Sequence, residues 1–255
     1  MIGIETGYEG KFDFPQRARR PDIPYLLASV PRAGSTHFSH LLWRTGCLGA
    51  PLEYLNFLPL SPYGFAATST ELQQQLWRSV LRRRCSPNGV FGLKVFTAQL
   101  EELNKKNPGL LQDVMAVTLP RDRLRHIIYL RRRDRIAQAV SLARASLSGI
   151  WRKEQESSDP PSLDYSEERV EAAEREIAYQ EDVWARMFGD LRIEPLSMWH
   201  EDVLANPLAA TRQVADHLGL SLDPAAAVAV PAIEKQSEGD AQAWIDRYAQ
   251  SRQSS

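Results

Sequence analysis

The stretch Tyr25-Leu-Leu-Ala-Ser-Val30, running at once into Pro31-Arg-Ala-Gly-Ser-Thr36, constrains this chain more than any other. An apolar run of strand length enters a turn of small residues. A helix follows, with Phe38, Leu41, Leu42 and Thr45 on one face and Gly46 as its stop. Small residues let backbone N–H groups converge on one concavity, and a helix N-terminus adds unsatisfied donors and partial positive charge. Ser35 and Thr36 supply hydroxyls, and Arg32 a forked cation suited to phosphate oxygens. The lysine that a nucleoside triphosphatase carries in such a loop is absent. The same residues would also make an ordinary strand-to-helix turn capped by Ser35, so the loop alone leaves both readings open.

The rest of the chain repeats the strand-then-helix rhythm. Further strands are expected over 89–96, after the turn Ser86-Pro-Asn-Gly89, over 126–130, and over 191–198, where Pro195 marks an irregular or edge strand. After 126–130 a helix carries Ile136, Val140, Ala143 and Leu147 on one face. Ser166 caps a long helix with Val170, Ile177 and Trp184 on its apolar face, and Asn206-Pro207 opens another that stops at Gly219. This alternation predicts an α/β fold, a central parallel β-sheet flanked by helices. The organisation expected is an N-terminal arm over 1–22, a single domain over 23–250 and a tail over 251–255.

Lys plus Arg number 31 and Asp plus Glu 32, so the balance is not that of a general nucleic-acid binder. Yet residues 121–135 hold seven arginines. A basic cluster in a neutral chain fits a small anionic ligand, or else a solvated face with acidic neighbours. Arg132 ends a strand and Ser141 lies on the helix after it, which makes a second, separate anion site, or else Arg131 to Arg133 are solvated and Ser141 is a helix-surface hydroxyl. Two such sites at the ends of parallel strands suggest a nucleoside with phosphates at both ends. Two cysteines, Cys47 and Cys85, are too few for a disulfide scaffold, and no His/Cys/Asp/Glu pattern asks for a metal. No window is apolar for long enough to span a membrane, and residues 1–14 do not read as a secretory leader, so a cytoplasmic setting is expected.

These pieces together resemble the sulfotransferases that use 3′-phosphoadenosine 5′-phosphosulfate (PAPS), and most of all the bacterial trehalose 2-sulfotransferase family. Arg32-Ala-Gly-Ser-Thr36 matches the loop that holds the 5′-phosphosulfate, and the stretch from Arg132 to Ser141 the one that holds the 3′-phosphate. Residues 87–94, 198–219 and Glu234-Lys-Gln-Ser237 with Trp244 and Tyr248 are similar to later family stretches, in order. The resemblance implies a P-loop nucleoside-triphosphatase-like fold. It implies PAPS as donor, a carbohydrate or small-molecule hydroxyl as acceptor, and a homodimer. It places Arg32, Ala33, Gly34, Ser35, Thr36, Arg132, Ser141, Lys235 and Gln236 on the donor. The family's base lies in Gly-Glu-Pro-x-Glu. This chain reads Gly49-Ala-Pro-Leu-Glu53, with Ala50 at the first glutamate and Glu53 kept.

Sulfuryl transfer resembles phosphoryl transfer, in which positioning and charge stabilisation do most of the work. Lys94, at a strand end, is the candidate cation. Glu53 is one candidate base and His37 the other, since a helix N-terminus favours a neutral imidazole. Glu53 as a structural carboxylate, Lys94 as a solvated strand-end lysine and His37 as a surface residue are the alternatives. Tyr54, Phe57 and Trp151 are candidate acceptor walls or core residues, and the polar stretch 153–165 is a candidate lid. His40, His126, His200 and His217 read as structural or exposed. A kinase on the same fold and an inactive nucleotide-binding homologue remain as rival functions.

Overall fold

The computed structural model describes residues 5–59, 61–151, 155, 163–232 and 240–253. Its centre is a four-stranded parallel sheet of β1 (Ile23–Ser29), β2 (Val90–Val95), β3 (His126–Arg131) and β4 (Leu196–Trp199), in the order β2-β1-β3-β4. Around it run α1 (Ser35–Arg44), α2 (Thr70–Arg83), α3 (Thr97–Lys106), α4 (Pro108–Thr118), α5 (Arg135–Ser148), α6 (Glu167–Leu191), α7 (His200–Ala205), α8 (Pro207–His217) and α9 (Ala241–Gln253). The α/β class read from the sequence is the class observed.

Both faces of the sheet are covered, and β1 shows why its apolar run is unbroken. Leu26 and Ala28 point into one core with Phe91, Leu93, Ile127, Ile177 and Trp184. Tyr25 and Leu27 point into the other with Phe38, Leu42, Ile128, Leu130 and Val214. A strand buried on both sides has no use for alternation.

The caps act as expected. Ser166 Oγ accepts from Arg169 N–H at the start of α6, and Asn206 Oδ1 from Ala209 N–H at the start of α8, where Pro207 holds the first position. The fourth strand differs from its expected span. α6 continues to Leu191 and turns at Arg192 (φ 51°), so β4 begins only at Leu196 and stays at the sheet edge. Pro195, which has no N–H to give a ladder, falls just outside it.

The N-terminal segment, expected as an arm, lies against the domain. Phe14 is buried, and its N–H donates to the Arg83 carbonyl at 2.8 Å. Arg84, 2% exposed, donates to the carbonyls of Gly7 (2.8 Å) and Glu9 (3.3 Å) and pairs with Asp13 at 3.0 Å. A buried guanidinium thus satisfies carbonyls that a stray arm would leave to water.

Candidate active site

The loop from Val30 to Thr36 leaves the C-terminal end of β1, where parallel sheets collect ligands. Its flanks are fastened from several elements. Gln138 of α5 donates to the Pro31 carbonyl at 2.9 Å, Trp184 Nε1 of α6 to the Ser29 carbonyl at 2.9 Å, and Ser29 Oγ to the Leu130 carbonyl at 2.9 Å. Arg32 and Gly34 adopt positive φ, 64° and 76°. At Gly34 a Cβ would lie 2.1 Å from His200 Nδ1, so the imidazole rests directly on the loop. Only glycine admits both that backbone and that contact. Ala33 and Ser35 are buried, and Thr36 is half-buried.

The two expected anion sites meet. Arg32 Nε donates to Ser141 Oγ at 2.8 Å and Arg32 NH1 to the Trp151 carbonyl at 3.0 Å, while Arg132 NH1 reaches the Arg32 carbonyl at 3.4 Å. So Arg32 leans toward the second site. Burial, and then the charge of Arg132, lower the Arg32 guanidinium to about 10. Two cations crowded together in this way favour an anion between them. Arg132 Nε is buried with no hydrogen-bond partner among the described residues. These features fit a ligand bearing phosphates. The arginine run as a whole is not one patch. Arg133 forms a bidentate pair with Asp202 (2.7 Å each), Arg135 pairs with Glu181, and Arg131 lies 4.3 Å over the Trp199 ring. Glu201 accepts from the N–H groups of Arg133 (3.0 Å) and Asp134 (3.2 Å), which ties the β4–α7 turn to the β3–α5 turn.

On the other side of the loop lies a second cluster. Lys94, 1% exposed at the end of β2, donates to Thr36 Oγ1 at 3.0 Å and pairs with Glu53 Oε1 at 2.8 Å. Glu53 Oε2 accepts from Gln99 Nε2 at 3.0 Å and Asn56 Nδ2 at 3.2 Å. The Glu53 N–H donates to Tyr8 Oη at 3.0 Å. The stretch around Glu53 is sewn to the edge of β2 by the Leu52–Leu93 bridge and by Lys94 N–H to the Leu52 carbonyl at 3.2 Å. The structure therefore joins Glu53, Lys94 and Thr36, three candidates far apart in sequence.

Other candidates fall differently. His37 sits in the first turn of α1, held below the usual imidazole range by burial and the Arg44 charge. Tyr54 is not a free wall. It is 2% exposed, bonds the Ala50 carbonyl and stacks on Phe91, 6.2 Å between centroids. Phe57 is half-buried against the core, and Trp151 is 44% exposed. Lys235, Gln236 and most of the candidate lid lie outside the described residues. His40, whose Nδ1 faces the Pro231 carbonyl at 3.1 Å, is buried as a structural histidine. His200 is a site residue that sequence reasoning missed, as are Gln99, Asn56 and Tyr8. For His200 the signal was its place at the end of a strand of the parallel sheet.

The Stf0 sulphotransferase family model matches residues 24–251. The chain belongs to that family. Two trehalose 2-sulfotransferases are similar to this sulfotransferase. The one from Mycobacterium tuberculosis is 28% identical, over 88% of this chain and 94% of the relative. The one from Mycolicibacterium smegmatis is 26% identical, over 90% and 95%. Among solved structures, the sulfotransferase STF9 from Mycobacterium avium aligns with a TM-score of 0.48 at 16% identity, over 90% of this chain and 69% of that one. A sulfotransferase from Alicyclobacillus acidocaldarius aligns at 0.44 and 14%, over 91% and 93%. Among the described residues no helix is long and apolar enough to cross a membrane.

Proposed function

We propose that this sulfotransferase moves the sulfuryl group of PAPS to a hydroxyl of a carbohydrate or small-molecule acceptor by in-line displacement. The observation that carries this reading is the line from Glu53 through Lys94 to Thr36, which connects a carboxylate to the anion-binding loop through a buried cation. On this reading Arg32, Arg132 and Ser141 hold the donor's phosphates, with the loop's backbone from Ala33 to Thr36. The donor supplies an activated sulfuryl group. Lys94 stands where charge develops as that group moves, and a cation placed there in advance costs no reorganisation. Glu53 takes the proton from the acceptor hydroxyl. The relatives' names make trehalose the first acceptor to try.

The test has two stages. Adenosine 3′,5′-bisphosphate should raise the melting temperature, and ATP with magnesium should not. A ligand that binds the folded state alone at a hundredfold excess over its Kd adds about 2.7 kcal/mol. Arg132→Ala and Ser141→Ala should weaken that binding. Labelled sulfate should then pass from PAPS to trehalose, and Glu53→Gln should abolish the transfer while His37→Gln should not. A response to ATP and magnesium alone would turn the assignment to a kinase. The reverse order of the two variants would make His37 the base.

A further inference from the structure

We propose that Gln99 is a positioning residue for the sulfuryl-transfer step, holding the Glu53 carboxylate in the orientation that meets the acceptor. The inference rests on the reading of Glu53 given above and goes one residue beyond it.

The geometry of Gln99 leaves its amide one orientation. Oxygen and nitrogen of a side-chain amide must be assigned from their partners. Here the partners decide. The Phe96 N–H, a donor, lies 3.1 Å from Gln99 Oε1, and Glu53 Oε2, an acceptor, lies 3.0 Å from Gln99 Nε2. Turning the amide over would set donor against donor and acceptor against acceptor. Gln99 is also on a rigid base, the first turn of α3 directly after β2. Lys94 comes from the end of that same β2. One strand-to-helix turn therefore delivers two donors to one carboxylate, Lys94 to Oε1 and Gln99 to Oε2. Asn56 adds a third at 3.2 Å. A carboxylate gripped at both oxygens loses the rotation that a single ion pair would allow, and pre-orientation of this kind is worth rate.

Glu53 meets Lys94 from β2, Tyr8 from the N-terminal segment, and the uncharged Gln99 and Asn56. Gln99 also has a second task, accepting the Phe96 N–H at the start of α3, and the two tasks can be separated by chemistry. Gln99→Glu keeps an acceptor for the Phe96 N–H but replaces the donor toward Glu53 with a like charge. Gln99→Met keeps the length and removes both.

The experiment compares wild type, Gln99→Glu and Gln99→Met. It measures melting temperature, affinity for adenosine 3′,5′-bisphosphate, and kcat and KM over a pH series. The expected result for Gln99→Glu is wild-type bisphosphate affinity and kcat lower by about tenfold or more, the worth of a hydrogen bond to a charged group. The acid limb of its pH profile should also move upward, because a second carboxylate opposes the charge on Glu53. Gln99→Met should lose kcat with unchanged bisphosphate affinity. A Gln99→Glu enzyme with wild-type kcat and pH profile would reduce Gln99 to a helix cap and overturn the proposal. If wild type transfers nothing to any sugar offered, the reading of the acceptor has failed, and Gln99 is then judged without turnover. With ¹³C-labelled glutamate, the Glu53 carboxyl signal is assigned by its loss in Glu53→Gln. A displaced signal in Gln99→Met supports the contact, and an unmoved one overturns it.

Discussion

The two halves of the site are built on different principles. The half that we assign to the donor is a pair of short strand-to-helix turns, each continuous in sequence and fastened to neighbours through main-chain atoms: Gln138 to Pro31, Trp184 to Ser29, Glu201 to Arg133 and Asp134. The half that we assign to the acceptor is assembled from pieces far apart. Glu53 belongs to an irregular stretch, Lys94 to β2, Gln99 to α3 and Tyr8 to the N-terminal segment. The donor half is a pair of local motifs. The acceptor half is a meeting place, joined by the main-chain pairing of Leu52 with β2 and by side chains, and dependent on the docking of residues 5–14.

Lys94→Met should break this contrast most severely, since Lys94 touches both Glu53 and Thr36. It strips charge stabilisation from the loop and strands a part-buried carboxylate. The expected loss is on the order of 10²- to 10³-fold in kcat, read by single-turnover transfer, with a destabilisation of about 3 kcal/mol from the unpaired Glu53 in urea melts. Gly34→Ala should cripple the donor half alone. Its Cβ meets the His200 ring and its φ is left-handed, so bisphosphate affinity should fall by about tenfold or more, measured by titration calorimetry. Arg84→Ala should do the converse. It frees the N-terminal segment at a cost of about 2–4 kcal/mol and weakens acceptor turnover, while bisphosphate binding in the folded fraction stays intact. Tyr8→Phe sharpens the same point: one hydrogen bond to the Glu53 N–H lost, about 1 kcal/mol, with the ring packing against Tyr63 kept.

Acid supplies a control that should treat both halves alike. His126 and His217 meet edge to face at 5.3 Å, and burial lowers the pKa of each. A base whose folded pKa lies below its unfolded one binds its proton more readily in the unfolded chain. Its full contribution to stability is therefore present above about pH 6.5 and is lost as the pH falls toward the folded values. Melting temperature followed from pH 7.5 to 5.5 should decline, and His126→Gln should flatten the decline.

The contrast also explains what could be read from the residues alone. β1, the loop after it, the Asn206-Pro207 start and the Gly219 stop are each written in consecutive residues; the last three fall where the sequence places them, and β1 runs over Ile23–Ser29 rather than Tyr25–Val30. The strand ahead of α7 starts later than the sequence suggests, because α6 runs on to Leu191, and Pro195, with no N–H to give, lies just before the ladder. In the acceptor half, the sequence points to Glu53 and Lys94 on separate grounds. Nothing in their spacing says that they touch, since the contact depends on the stretch around Leu52 running beside β2. Tyr54 went astray for the same reason: an aromatic next to a candidate base looks like a wall until the fold turns its ring inward. Gln99 carries no charge and no motif, and only its neighbours give it a role.

The clasp at Arg84 has a consequence for how the chain is made. Gly7 leaves the ribosome 77 residues ahead of the guanidinium that will hold it. Until β1, α1 and α2 have emerged, the opening segment has no seat, and Tyr8 and Phe14 travel uncovered. Closing so long a loop adds little entropic penalty over a shorter one, so the delay is one of timing more than of energy. Residues that we assign to the acceptor side are therefore translated well before the element that seats them.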